Sequence, residues 1–186
     1  MEDREIVALY WQRSEAAVRE TERKYGPYCF SIANGILRNE ADAEECVNDM
    51  YVGAWNAMPP HRPDSLAAFL GKITRRLALK RFREQTTEKR GGGETVLALE
   101  ELEEVIPEGG SLEEQVAERE LARSIDLFLS TLTVTQRRVF LCRYWYFDSV
   151  GDIARRFGYS ESKVKMTCKR MRDKLLLHLR KEGLIS

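Results

Sequence analysis

Residues 149–179 constrain the fold more than any other stretch. Ser149-Val-Gly-Asp-Ile-Ala-Arg-Arg-Phe157 is followed by Gly158-Tyr159-Ser160 and then by Glu161 through Leu179. Val150, Ile153, Ala154 and Phe157 fall at i, i+3, i+4 and i+7, the single apolar stripe of an amphipathic helix. Gly158 follows the last apolar residue, where a left-handed C-cap favours a residue without Cβ. Ser160 then suits an N-cap, and a second helix follows with Val164, Cys168 (or Thr167), Met171 and Leu175 on one face. A short helix, a tight glycine turn and a longer basic helix make a helix-turn-helix, whose second helix can enter a major groove. The outward side of that helix holds Ser162, Lys163, Met166, Lys169 and Arg170, with Lys165 beside them. The alternative is an ordinary helical hairpin with a solvated lysine face.

Charge placed along the chain supports a polyanionic partner. The formal net charge is zero, yet the blocks 1–63, 64–93, 94–120 and 121–186 carry −4, +5, −9 and +8. Two basic bodies separated by an acidic tether suit a protein that meets a polyanion at two places. The four cysteines, Cys29, Cys46, Cys142 and Cys168, have no paired spacing and stand in apolar helical contexts, so buried reduced thiols are expected. His61 and His178 lie near no cysteine, and neither a metal site nor a cofactor is expected. The opening Met1-Glu2-Asp3-Arg4-Glu5 has no signal pattern, and no apolar run approaches a membrane span. The expectation is a cytoplasmic protein without membrane insertion.

Periodicity is helical almost throughout, predicting an all-α chain of two small helical domains. The first, 1–85, has expected helices over 2–12, 14–25, 27–37, 41–58 and 66–83. Ser14 is read as an N-cap, Pro27 after Gly26 as a helix restart, and Asp42 with Glu45 as a capping box. Pro59-Pro60-His61-Arg62-Pro63-Asp64-Ser65 reads as a stiff loop with Asp64 or Ser65 capping the next helix. Residues 86–111, glycine-rich and densely acidic, are expected to be a flexible linker with at most transient helix. The second domain, 112–186, has expected helices over 112–131, 135–144, 149–157 and 160–180.

Two separate stretches carry a family resemblance. Asp42-Ala-Glu-Glu-Cys-Val-Asn-Asp-Met-Tyr-Val-Gly-Ala-Trp55 with Phe69-Leu-Gly-Lys-Ile-Thr-Arg-Arg-Leu-Ala78 resembles region two of bacterial RNA polymerase sigma factors of the extracytoplasmic-function group, within the sigma-70 family. Leu132-Thr-Val-Thr-Gln-Arg-Arg-Val-Phe140, the helix-turn-helix and Val164 through Arg172 resemble region four.

The resemblance implies a non-enzymatic protein that binds core RNA polymerase and directs promoter recognition and melting. Asp42, Glu45, Asn48, Asp49 and Trp55 would then meet polymerase, and acidic residues beside apolar ones suit a basic helical partner. His61, Arg62, Ser65, Lys72, Arg75, Arg76, Lys80 and Arg81 would serve the minus-ten element. There a rigid loop can hold a flipped base while cations bind the melted strand. The groove-facing residues named above would read the minus-thirty-five element. Arg76 and Lys80 stand where the family usually has Asn and Asp, and Lys163 where it has Thr. Family members are commonly held inactive by an anti-sigma factor, which the resemblance adds as a partner. The competing assignment is a stand-alone helix-turn-helix regulator that binds duplex DNA as a dimer. An enzyme is disfavoured: the chain has no phosphate-binding glycine loop, ligand cluster or nucleophile with a His partner.

Overall fold

A computed structural model describes residues 1–88, 93–103 and 114–185. Nine helices and no strand occur among the described residues, and the chain divides into two units, Met1–Gly91 and Gly92–Ser186.

The first unit contains α1 (Asp3–Trp11), α2 (Ala16–Leu37), α3 (Glu40–Ala57) and α4 (Leu66–Glu88). Helix α2 packs against both α3 and α4, which also pack on each other, and α1 lies along α2. Ile6, Tyr10, Cys29, Ile32, Ile36, Met50, Leu66 and Leu70 have no exposed surface. Burying each large apolar side chain contributes about 1.5–3 kcal/mol, and the four helices share one core. The buried polar atoms are satisfied locally: Thr21 Oγ1 donates to the Ala17 carbonyl and lies 2.9 Å from the Tyr10 hydroxyl.

Three local expectations are corrected here. Pro27 does not restart a helix; α2 runs unbroken through it. An interior proline costs about 3 kcal/mol, but buried Ala17 and Thr21 on one side and Cys29, Ile32 and Ile36 on the other anchor both halves in the core. Ser14 is not the N-cap of α2: Glu15 occupies that position without a side-chain bond, and Ser14 offers only its carbonyl, to the Ala17 N–H. Helix α3 is capped by Asn39, whose side chain accepts from the Asp42 N–H at 3.0 Å, so Asp42 sits inside the first turn rather than at the cap. Ser65 does cap α4, its hydroxyl accepting from the Ala68 N–H.

The second unit contains α5 (Gly93–Glu103), α6 (Glu114–Thr131), α7 (Val134–Tyr144), α8 (Val150–Phe157) and α9 (Glu161–Lys181). Helix α9 packs against α6, α7 and α8, and α5 packs on α7. Within the segment expected to be a linker, residues 93–103 are a helix, with Thr95 and Ala98 buried. Thr95, Ala98 and Leu102 fall at i, i+3 and i+7, a narrow stripe that the dense acidic composition masks. The remaining linker glycines, Gly91, Gly92, Gly109 and Gly110, and the expected helix start at Leu112 lie outside the described residues.

Candidate nucleic-acid and partner interfaces

The geometry of the second unit begins with its caps. Ser149 and Ser160 accept from the Asp152 and Lys163 N–H groups, and Thr133 with Gln136 forms a reciprocal capping box. Gly158 takes φ +64°, ψ +35°, the left-handed turn that ends α8 two residues before Ser160 starts α9's cap. Val150, Ile153 and Ala154 of α8 and Val164, Cys168, Met171 and Leu175 of α9 are buried, so Cys168 rather than Thr167 takes the inward position. That packing forces the opposite side of α9 outward. Ser162, Lys163, Lys165, Met166, Lys169 and Arg170 are all exposed, Met166 by 50%.

Two of these residues have local partners. The Lys163 ammonium lies 3.6 Å from the centre of the Tyr159 ring, and Lys169 pairs with Asp173 at 3.1 Å. Both of the paired side chains are more than half exposed, so the ion pair is weak and leaves the ammonium available to a stronger anion.

A polar cluster not anticipated from the sequence joins α5 to α7 and α9. Glu101 pairs with Arg143 at 3.0 Å and with Arg172 at 3.0 Å, and accepts from the Tyr144 hydroxyl at 2.8 Å. Arg143 is only 2% exposed, so the Glu101 carboxylate offsets a charge held out of water. Burial acts to raise the Glu101 carboxyl, but the hydrogen bonds from Arg143 and Tyr144 and the charges of Arg143 and Arg172 outweigh it and hold the group below the usual carboxylate range. No sequence signal joins these residues, since Glu101 stands 42 and 71 positions before its two cationic partners.

In the first unit α3 presents an acidic edge. Glu45, Asn48 and Asp49 are exposed and Asp42 is half-buried. Val52, one turn beyond Asn48 and Asp49, is 60% exposed and extends that edge with an apolar residue the sequence reading did not single out. Beside it, Pro27, Phe30, Val47 and Tyr51 with Glu22 and Glu44 line an open groove of about 440 Å3 between α2 and α3. Trp55, half-buried, follows Asn48 and Val52 at i+7 and i+3 along α3. Its ring packs edge-on against Tyr10 and under the Arg13 guanidinium, which also donates to the Trp55 carbonyl at 2.7 Å.

The loop before α4 is held from α1. Trp11 Nε1 donates to the His61 carbonyl, and the Arg62 guanidinium lies 3.9 Å from the centre of the Trp11 ring. His61 Nδ1 is 3.0 Å from the Ala57 carbonyl oxygen, a contact that requires the proton on Nδ1. His61, Arg62 and Ser65 remain exposed. On α4 the exposed Lys72, Arg76 and Lys80 follow at i, i+4 and i+8 and form one basic ridge. Arg75 is half-buried, and desolvation pushes its guanidinium down to about 10, so it stays charged at neutral pH. Arg81 turns away from the ridge: it pairs with Glu45 at 2.7 Å and donates to the Asp42 carbonyl at 3.2 Å. Gln85 adds a bond to the Asp42 carboxylate at 3.1 Å, so the end of α4 fastens the start of α3.

All four cysteines are buried free thiols, and burial raises each of them. Among the described residues no group of three or more His, Cys, Asp or Glu could hold a metal ion, and no helix is long and apolar enough to cross a membrane.

The comparisons bear on the first unit most directly. No curated protein matches the chain. A solved structure, that of CnrH in complex with the cytosolic domain of CnrY, is 22% identical over 96% of this chain and 97% of that one, with a TM-score of 0.45. Residues 23–88 match Sigma-70 region 2, a stretch that runs from within α2 through α3 and α4. Those residues, which carry both the acidic edge and the basic ridge, are the part of the chain that is similar to the sigma-70 family.

Proposed function

We propose that the chain is an extracytoplasmic-function sigma factor, which binds core RNA polymerase in the cytoplasm and directs promoter recognition and melting. The observation that carries this reading is the pairing of a region 2 match with a separate helix-turn-helix whose Lys163, Lys165, Lys169 and Arg170 emerge from one face of α9.

In this reading α9 lies in the major groove of the minus-thirty-five element. Lys163, Lys165, Lys169 and Arg170 offer donors to guanine O6 and N7 or to phosphates, each good bidentate base contact being worth about 1–3 kcal/mol of discrimination. Ser162 and Met166 add a hydroxyl and an apolar contact on the same side. The minus-ten element meets the His61–Ser65 loop, which Trp11 braces, while Lys72, Arg76 and Lys80 follow the phosphates of the opened strand. Arg75 and Arg81 act from behind, Arg81 by fixing the α3 edge. Glu45, Asn48, Asp49 and Val52 form the polymerase-facing edge, with Asp42 anchoring it and Trp55 stiffening the helix behind. An anti-sigma factor would act by covering one of these faces.

The test is gel filtration of the purified chain with bacterial core RNA polymerase at moderate salt. A stable one-to-one complex is expected. Tight binding to duplex DNA by the chain alone, without co-elution, would reject the sigma reading for a stand-alone regulator.

A further inference from the structure

Lys165, Lys169 and Arg172 fall at i, i+4 and i+7 on α9, one continuous stripe, yet their states differ. Lys165 and Lys169 are exposed, whereas the Arg172 side chain is only 14% exposed and is held by Glu101 of α5 at 3.0 Å and by the Tyr144 hydroxyl at 2.6 Å. Glu101 therefore sits at the end of the stripe that the proposed function assigns to DNA. Glu101, Arg143 and Arg172 line one cavity of about 260 Å3 with Lys165, Met166 and Lys169. A carboxylate bound by two guanidiniums and a phenol occupies the place that a phosphate's oxygens would take among the same donors. Glu100, exposed on α5 beside Glu101, adds negative charge to the same helix.

We propose that α5 is a built-in competitor of DNA: its Glu101 fills the Arg143–Tyr144–Arg172 receptor in place of a backbone phosphate and withholds Arg172 from the basic stripe of α9. The inference rests on the reading of α9 as the DNA-facing helix. When α5 leaves, Arg172 regains its rotamers and lengthens the stripe by one cation, and the Glu101 charge no longer opposes an approaching phosphate. Docked α5 thus lowers the affinity of the second unit for any duplex, independent of base sequence. A partner that draws the acidic segment away would raise it.

The experiment uses the full chain, a short labelled duplex and fluorescence anisotropy across a salt series. Glu101→Gln keeps the shape of the side chain and removes its charge. It should tighten binding at low salt by roughly threefold or more and steepen the salt dependence by about 0.9, the value of one added phosphate contact. Arg143 loses the Glu101 charge in that variant, so Ala98→Gln is measured beside it. Ala98 has no exposed surface on α5, and a bulky neutral amide there displaces the helix while Glu101 keeps its carboxylate. If Glu101→Gln loses its cooperative melt, Ala98→Gln alone decides, and the same gain is expected. Wild-type binding with no gain in affinity or slope in the deciding variant would overturn the competition. Absence of binding by wild type and variants alike would overturn the assignment of α9 as the DNA-facing helix, and this inference with it.

Discussion

Gly158 has φ +64° with nothing within 4 Å of where a Cβ would stand, so its requirement is conformational rather than one of space. A β-branched residue strains that left-handed turn by about 1–2 kcal/mol. Gly158→Val should lower the melting temperature of the second unit by roughly 4–8 °C for each kcal/mol lost, read by thermal denaturation followed by circular dichroism. An unshifted melt would show that the turn tolerates a Cβ. Glu101 makes a different prediction at the same scale. Its folded-state carboxyl is held below the ordinary range, so its stabilisation is present above the unfolded value of about 4.3. It is lost as pH falls through that value and on through the folded one. The gap in melting temperature between wild type and Glu101→Gln should therefore be widest near neutral pH and narrow on acidification. A gap independent of pH would mean that the charge contributes nothing.

At the scale of elements, α9 is the clearest case of a face decided by its neighbours' packing. Lys169→Ala should weaken binding at all duplex sequences and flatten the salt slope by about 0.9, as loss of one phosphate contact requires. Its exposed pair with Asp173 is too weak for the fold to suffer, and an unchanged slope would remove Lys169 from the phosphate contacts. On α3 the informative position is Val52, since reversing Asp42 or Glu45 would also set like charges against the Arg81 anchor. Val52→Lys should leave melting within the small range of surface substitutions and weaken co-elution with polymerase. Co-elution at wild-type strength would dismiss this edge as the docking face. The cap at Ser160 was legible because a cap is a local bond between adjacent residues, whereas those at Ser149 and Thr133 were not singled out. The course of α2 through Pro27 was not, because packing against two other helices outweighs the local cost of a proline. Helix α5 was missed for a related reason: its acidic residues argue for solvent until one of them meets buried arginine from distant parts of the chain.

At the scale of the molecule, two units lie on one chain, and the proposed function gives both faces to the same polymerase–promoter assembly. Joining two binding modules makes the second contact intramolecular, a gain of about a hundredfold or more when both can engage. Units 1–91 and 92–186, made separately, should each bind polymerase and promoter more weakly than the intact chain by about that factor, measured by titration. Equal affinity of one unit and the whole chain would confine binding to that unit. Composition and periodicity alone determined an all-helical chain, the separation of its charge into blocks, the helix-turn-helix with its glycine turn, and the outward set on α9. Each is set by contacts within a few residues or by a repeat that one helix imposes. Tertiary structure alone decided that Arg81 belongs to the acidic edge, that Trp55 faces α1, and that Glu101 binds Arg143 and Arg172. Those pairings join residues 36 to 71 positions apart, and no local propensity encodes which cation a carboxylate will meet once the helices have packed.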